Sequence, residues 1–237
     1  MQQHLIFGLH GFLGQSEDWF ACERHLDTRW NTPALFSKAA PPIANFSTYL
    51  DQMISAANLS VTMPAKKIFV GYSMGGRLGL HLLQDHADKF DHFVFVSTHA
   101  GLQDENEKRL RLTQDEEWSK KILHQPWEKF IGEWNAQPVF KTKGLEPARF
   151  EKDFDVNKLS TAMKIWSLGF QNNLRPMIEK YQNKITWVVG SEDEKFIKLS
   201  DDLLQKKILL NVSRIHAGHR ILFENPKALC ELLQKLF

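Results

Sequence analysis

Short, continuous apolar runs recur along this chain of 237 residues, and they limit its fold more than any other feature. The strongest runs lie at residues 5–9, 68–71, 93–97 and 185–190, each closed or followed by glycine or serine. Apolar character without alternation is typical of strands covered on both faces. Weaker strand patterns lie at residues 32–36 and 212–216, and helix-spaced leucines lie at residues 75–86 and 226–237. Strands that alternate with helices predict an open, mostly parallel α/β sheet with helices on both faces.

The middle of the chain lacks such runs. From about Gly101 to Arg175 the sequence has charged, tryptophan-containing stretches of helical character that prolines separate. We therefore predict that residues 1–100 and 176–237 form the α/β core and that residues 101–175 form a helical cap on the sheet. The alternative is a set of ordinary surface helices.

Composition excludes several classes of protein. Hydrophobic residues make up 43% and charged residues 24% of the chain, which is typical of a folded globular protein rather than a disordered one. No apolar run approaches the roughly 18 residues that a membrane span needs, so we expect no membrane contact. A formal net charge of +2 gives no reason to expect nucleic acid as a partner.

Other sequence features bear on location and on cofactors. Cys22 and Cys230 are too few for a disulfide framework, and we expect both to be reduced. The N-terminus has neither the basic region nor the long apolar segment of a signal peptide, which predicts a cytoplasmic protein. The chain has no dinucleotide-binding glycine pattern and no Walker sequence, and its histidines lack zincin spacing. We therefore expect neither a cofactor nor a metal.

The segment Gly71-Tyr72-Ser73-Met74-Gly75 carries the strongest chemical signal. It follows a predicted strand and opens a predicted helix, which is the context of a nucleophile elbow. Small residues are needed there because the turn crowds the backbone. The turn would present the Ser73 hydroxyl at the carboxyl edge of the sheet, facing the positive end of the helix. We predict that Ser73 is the catalytic nucleophile.

A serine hydroxyl needs a base to take its proton, and the base needs an acid to orient it. In this architecture both residues follow the serine along the chain. Asp193 follows the strand that ends at Gly190, and His219 follows the last weak strand. Parallel sheets place ligands at these strand ends. We predict Asp193 as the acid, with its acidic neighbours Glu192 and Glu194 as competitors. We predict His219 as the base, with His216 as its competitor.

The first strand ends in His10-Gly11-Phe12. Glycine lets the backbone turn close to the site, and the amides of Phe12 and Met74 are candidates for an oxyanion hole. For His10 we favour a packed structural role over a catalytic one.

Together these motifs resemble those of the α/β-hydrolase superfamily over the whole chain. They read Leu9-His10-Gly11-Phe12, Gly71-Tyr72-Ser73-Met74-Gly75-Gly76-Arg77, Gly190-Ser191-Glu192-Asp193 and Ala217-Gly218-His219. Within the superfamily, finer features are similar to the family of 2-succinyl-6-hydroxy-2,4-cyclohexadiene-1-carboxylate synthases of menaquinone biosynthesis. These features are Tyr72 and Arg77 in the serine motif and the segments 97–102, 133–140 and 167–171.

This closer resemblance implies a lyase reaction rather than ester hydrolysis. Pyruvate would leave a cyclohexene tricarboxylate by a 2,5-elimination, with Ser73 acting as a base through His219 and Asp193. A substrate with several carboxylates needs cations, and arginine binds a carboxylate with two parallel hydrogen bonds. Arg77, one helical turn beyond Ser73, fits this role. Tyr72 and Trp134 are expected beside the substrate.

The family also places an arginine in the cap, where the matching stretch of this chain, residues 114–118, carries acidic residues. We take Arg111 as the substitute, with Arg109 as the alternative, and Arg149 is the candidate for a second cap cation. The alternative function is a serine carboxylesterase or thioesterase, including the pimeloyl-carrier methyl ester esterase type, because the same triad would serve. A non-catalytic binding protein is less favoured, since all three triad candidates are present. We expect a monomer or weak homo-oligomer that acts on a small polycarboxylate.

Overall fold

In a computed structural model of the chain, the described residues are 4–57, 66–140 and 147–237. The strands are β1 (Leu5–Leu9), β2 (Arg29–Asn31), β3 (Lys67–Tyr72), β4 (His92–Val96), β5 (Ile185–Gly190) and β6 (Val212–Ile215). The α-helices are α1 (Phe20–Glu23), α2 (Phe46–Ala56), α3 (Met74–Asp85), α4 (Glu105–His124), α5 (Trp127–Asn135), α6 (Val156–Ile165), α7 (Arg175–Lys180), α8 (Glu194–Gln205), α9 (Ile221–Glu224) and α10 (Pro226–Gln234).

The described strands form one parallel sheet in the order β2-β1-β3-β4-β5-β6. The chain places β2 on one side of β1 and then β3 and the later strands on the other side of β1. The order therefore reverses between β1 and β3, and open α/β sheets bind ligands in the crevice at such a point. The loops that follow β1 and β3 meet there. The predicted α/β-hydrolase fold is confirmed.

Side chains of different shape cover the two faces of the sheet. Phe69, Phe93 and Phe95 point to one face, where they pack in a cluster with residues of α2 and α3. Val94 and Val96, which alternate with those phenylalanines, point to the other face and pack with α10. Because both faces are buried, the strands read as unbroken apolar runs. This explains why these strands were recognisable in the sequence.

One strand prediction is wrong. Residues 32–36 form a loop, and the edge strand β2 lies just before them at Arg29–Asn31. Pro33 has no amide hydrogen to give to a sheet. Leu35 and Phe36 are apolar because they pack into the core from the loop, where both are fully buried. Their hydrophobicity reports burial and not strand structure.

The described part of residues 101–175 holds α4, α5, α6 and short 3-10 turns, and it contains no strand. Helices α4 and α6 pack together, with the Ser119 and Ser160 hydroxyls 2.7 Å apart. The Trp166 indole donates a hydrogen bond to the Ala44 carbonyl in the core. Among the described residues, no helix combines the length and apolar character that crossing a bilayer requires.

Gly75 lets α3 start against the end of β1, and its replacement tests this close approach. A Cβ there would overlap the carbonyl oxygens of Leu9 and His10. We expect Gly75→Ala to lower the free energy of unfolding by about 3 kcal/mol, because backbone must move. Gly132→Ala in α5 is the matched control, since its Cβ would meet open space. It should raise stability by roughly 0.5–1 kcal/mol through helix propensity. Urea unfolding measures both, and equal effects would contradict the crowding argument.

Candidate active site

Ser73 lies in the sharp turn between β3 and α3, with φ 51° and ψ −110°. A non-glycine residue in this region is strained and persists only where its surroundings hold it. The Ser73 amide donates to the Val96 carbonyl at 2.9 Å. Its own carbonyl accepts from the Thr98 hydroxyl at 2.7 Å and from the Arg77 amide at 3.0 Å. The end of β4 and the first turn of α3 therefore fix the turn.

His219 and Asp193 reach Ser73 from the loops after β6 and β5. The His219 Nε2 atom lies 3.1 Å from the Ser73 Oγ, and its Nδ1 lies 2.7 Å from the Asp193 Oδ2. Asp193 and His219 are both buried. An ionised carboxylate only accepts, so His219 carries its proton on Nδ1 and its Nε2 can take the serine proton. This is the arrangement of a nucleophile, a base and an orienting acid.

The competing residues lie elsewhere. Glu192 is exposed and pairs with the exposed ring of His216 at 3.4 Å. The structure therefore brings Asp193 and His219 to the serine. Glu192 and Glu194 line the cavity in front of the triad, but neither is hydrogen-bonded to His219.

The amides of Phe12 and Met74 lie at the crevice between β1 and β3. Both residues line the large cavity beside Ser73. No hydrogen bond within the described chain uses either amide. Two free donors beside a nucleophile can stabilise a developing oxyanion.

His10 fixes the loop that carries Phe12. Its Nε2 accepts from the Leu35 amide at 3.0 Å, which leaves Nδ1 to donate to the Gly11 carbonyl at 2.8 Å. Burial lowers the pKa of His10 to about 4, so the ring is neutral at physiological pH. This is the structural role that the sequence favoured.

A cavity of about 570 Å³ opens in front of the triad. Ser73, Asp193 and His219 form one wall. Aromatic and apolar residues, among them Trp134 and Phe140 of the cap segment, form another. The other polar and charged side chains on the cavity wall include Arg77, Arg111, His99, Gln114 and Lys195, and the carboxylates of Glu192 and Glu194 line the cavity too. The cavity is large enough for a drug-sized molecule.

Arg77 is a buried cation on this wall, and no carboxylate of the described chain is ion-paired with it. Its guanidinium donates to the Trp166 carbonyl at 2.7 Å and contacts the Gln171 side-chain oxygen at 3.4 Å. Burial lowers its pKa to about 9, with Arg111 adding repulsion and Asp115 opposing it. The guanidinium thus remains charged at neutral pH. A buried charge of this kind favours an anionic ligand.

The other cap arginines differ in position. Arg111 lines the large cavity and is partly buried, and its Nε lies 2.8 Å from the buried carboxylate of Asp115. Arg149 does not line this cavity and binds both carboxylate oxygens of Asp18 at 2.8 Å. Arg109 projects from α4 and contacts Asn106. Of the three sequence candidates, Arg111 is the one placed to meet a ligand in the large cavity.

Tyr72 and Trp134 occupy different positions relative to the large cavity. Tyr72 is buried beneath the triad with its ring centroid 5.7 Å from that of His219. It lines a smaller cavity of about 50 Å³, which Ser73 also lines, and it does not line the large one. Trp134 lines both cavities, and its ring centroid lies 4.7 Å from that of Phe12.

His99 and Lys195 line the large cavity and were not among the sequence candidates. His99 follows β4, and Lys195 lies two residues after Asp193. Burial, with the charges of Lys195 and Arg77, lowers the pKa of His99 to about 3, which keeps its ring neutral. Both follow strands whose carboxyl ends face the crevice. Ligands of open α/β sheets bind at the carboxyl ends of the strands, so a search of the residues after every strand would have found both.

Within the described ranges, no group of three or more histidine, cysteine, aspartate or glutamate side chains is arranged to hold a metal ion.

Comparisons with known proteins bear on the family. A model of the α/β hydrolase fold matches residues 5–122. The 2-succinyl-6-hydroxy-2,4-cyclohexadiene-1-carboxylate synthase of Enterobacter sp. (strain 638) is 26% identical, over 98% of this chain and 90% of that protein.

Solved structures show the same fold. MenH from S. aureus superimposes with a TM-score of 0.83 at 21% identity, over 99% of this chain and 93% of that one. A thermophilic esterase from Thermogutta terrifontis gives a TM-score of 0.72 at 16% identity, over 99% and 89%. From its sheet order, from the turn at Ser73 and from these similarities, the chain has the α/β-hydrolase fold.

Proposed function

We propose that this protein is a carbon–oxygen lyase of menaquinone biosynthesis. It eliminates pyruvate from a succinyl-enolpyruvyl-hydroxycyclohexene-carboxylate and yields 2-succinyl-6-hydroxy-2,4-cyclohexadiene-1-carboxylate. The observation that carries the proposal is the buried, charged Arg77 on the wall of the cavity that holds the triad. The name of the Enterobacter relative, which matches over nearly the full length, supports the same reaction.

The charges around the cavity fit a substrate with several carboxylates. Arg77 and Arg111 present guanidinium groups, and these bind carboxylates with directional, charge-assisted hydrogen bonds. The N-terminus of α3 also points at the site, and its dipole favours negative charge there. A neutral ester gains nothing from these groups.

The reaction begins with proton transfer within the triad. His219 takes the proton of the Ser73 hydroxyl, while Asp193 stabilises the imidazolium that forms. The Ser73 alkoxide then removes a ring proton from the substrate. The electron pair released from that C–H bond moves through the ring and forms the diene as the C–O bond to the enolpyruvyl group breaks. The His219 imidazolium gives its proton to the departing enolpyruvate, which becomes pyruvate, while Ser73 keeps the ring proton as its hydroxyl proton, so that the triad returns to its starting state.

Negative charge that develops on a substrate oxygen is stabilised by the amides of Phe12 and Met74. Trp134 and Phe140 cover the ring and limit the access of water. Exclusion of water favours elimination, because a hydrolytic reaction at the same serine would need a water molecule.

A serine esterase or thioesterase is the second candidate, since its chemistry would use the same triad. The fold shared with the Thermogutta terrifontis esterase is compatible with it. Pyruvate release from the tricarboxylate, measured beside cleavage of a short p-nitrophenyl ester, separates the two. The lyase requires fast pyruvate release and poor ester cleavage, whereas ester cleavage without pyruvate release would establish the second candidate.

Ser73→Ala tests the base. We expect pyruvate release to fall at least about 1,000-fold, because no other group replaces the alkoxide. The urea midpoint should stay the same, since the side-chain hydroxyl contacts only His219 in the described chain. Unchanged turnover would remove Ser73 from the mechanism.

Asp193→Asn and Glu192→Gln form a matched pair that tests the acid. The first removes the charge at the His219 Nδ1 and should reduce kcat by about 1,000- to 10,000-fold. The second changes an exposed carboxylate and should alter kcat less than about twofold. A larger effect of Glu192→Gln would assign the acid to Glu192.

Arg77→Met tests carboxylate recognition. We expect kcat/KM for the tricarboxylate to fall by about 100-fold, as for a lost charge-assisted contact. Arg77→Lys should recover part of this loss because it keeps the charge without the planar fork. Cleavage of the neutral p-nitrophenyl ester should change much less. Equal losses with both substrates would mean that Arg77 serves only to hold Trp166.

A further inference from the structure

Lys195 is a cavity cation to which the proposed mechanism gives no role. It is the second residue of α8, two positions after the triad acid Asp193. It lines the large cavity and is accessible from solvent. Its Nζ lies 5.8 Å from the centroid of the Phe196 ring, and that ring packs 4.7 Å from the ring of His219. The ammonium group is therefore held on the side of the cavity where His219 stands.

The charge of Lys195 has no ion-pair partner in the described chain. Asp193 is bound to His219, Asp115 is bound to Arg111, and Glu192 pairs with His216. Glu194 adjoins Lys195 in sequence but forms no ion pair with it. Desolvation at the cavity wall lowers the pKa of Lys195, and Arg111 and Arg77 lower it further while Asp193 opposes them. Lys195 thus experiences the positive charge of both arginines.

The position of Lys195 in its helix is also unfavourable. It lies in the first turn of α8, where the helix dipole is positive and where acidic residues stabilise a helix. The carboxylates at positions 192–194 line the same cavity, but none of them forms an ion pair with Lys195. The repulsion from two arginines and from the helix dipole is relieved when an anion binds the ammonium group.

We propose that Lys195 is a substrate-binding residue whose ammonium group binds a second carboxylate of the substrate, separate from the one that Arg77 binds. The proposal rests on the function proposed above and extends it. The cavity would recognise molecules with at least two carboxylates, one toward α3 and one near the start of α8. Lys195 would thereby select polycarboxylates over monocarboxylates.

Lys195→Met tests this assignment, with Lys198→Met as the matched control. Lys198 is an exposed lysine of the same helix, and it does not line the cavity. Both variants lose one positive charge, so a general effect of net charge would appear equally in both. We expect Lys195→Met to raise KM for the tricarboxylate roughly 10-fold, as for a lost hydrogen bond to a charged group. Its kcat should change little, and Lys195→Arg should restore most of the affinity.

Binding without turnover separates this proposal from the function on which it rests. Calorimetric titration with propane-1,2,3-tricarboxylate measures affinity whether or not the protein releases pyruvate. A roughly 10-fold weaker affinity in Lys195→Met alone would support the role of Lys195 even if pyruvate release were absent. Equal affinities in Lys195→Met and Lys198→Met, or no binding to the unmodified protein, would overturn it. Urea unfolding should show no loss of stability in Lys195→Met.

Discussion

The left-handed backbone of Ser73 is the constraint on which the rest of the site depends. This conformation costs on the order of 1–3 kcal/mol and has to be held by neighbouring structure. Val96 and Thr98, at and just after the end of β4, bind the backbone of Ser73. Gly75 allows α3 to start against the end of β1. Adjacent parallel strands therefore present the hydroxyl, the oxyanion donors and the helix dipole at one edge of the sheet.

The buried charge of Arg77 is a second constraint on the site. The Arg77 guanidinium loses hydrogen bonds to water when it is buried. The Trp166 carbonyl and the Gln171 side chain, both within residues 101–175, replace some of these hydrogen bonds. The residue proposed to bind substrate thus also joins the cap segment to α3. Arg111 and Lys195 line the same cavity as Arg77, and the carboxylates of Glu192, Asp193 and Glu194 line it as well. An anionic substrate placed among the three cations would relieve the repulsion between them.

Local signals predicted much of this arrangement. The strands were recognisable because burial on both faces removes polar residues from them. Ser73, Asp193 and His219 were recognisable because each follows a strand end and lies in a glycine-containing loop. Residues 32–36 were misjudged because apolar residues in a buried loop carry the same signal as a strand. Lys195 and His99 were not predicted because their roles depend on charged residues that are distant in the sequence and close only in the folded chain.

The sequence by itself determined the parallel α/β fold and the three residues that could act together, since both follow from apolar patterning and from the order of strand ends. Only the tertiary structure decided which charges share a cavity. It brought Arg77 and Lys195 to one wall, directed Arg149 to Asp18, and buried Tyr72 beneath His219. The physical reason is that electrostatic interactions depend on distances between side chains, and these distances are set by how helices pack onto the sheet.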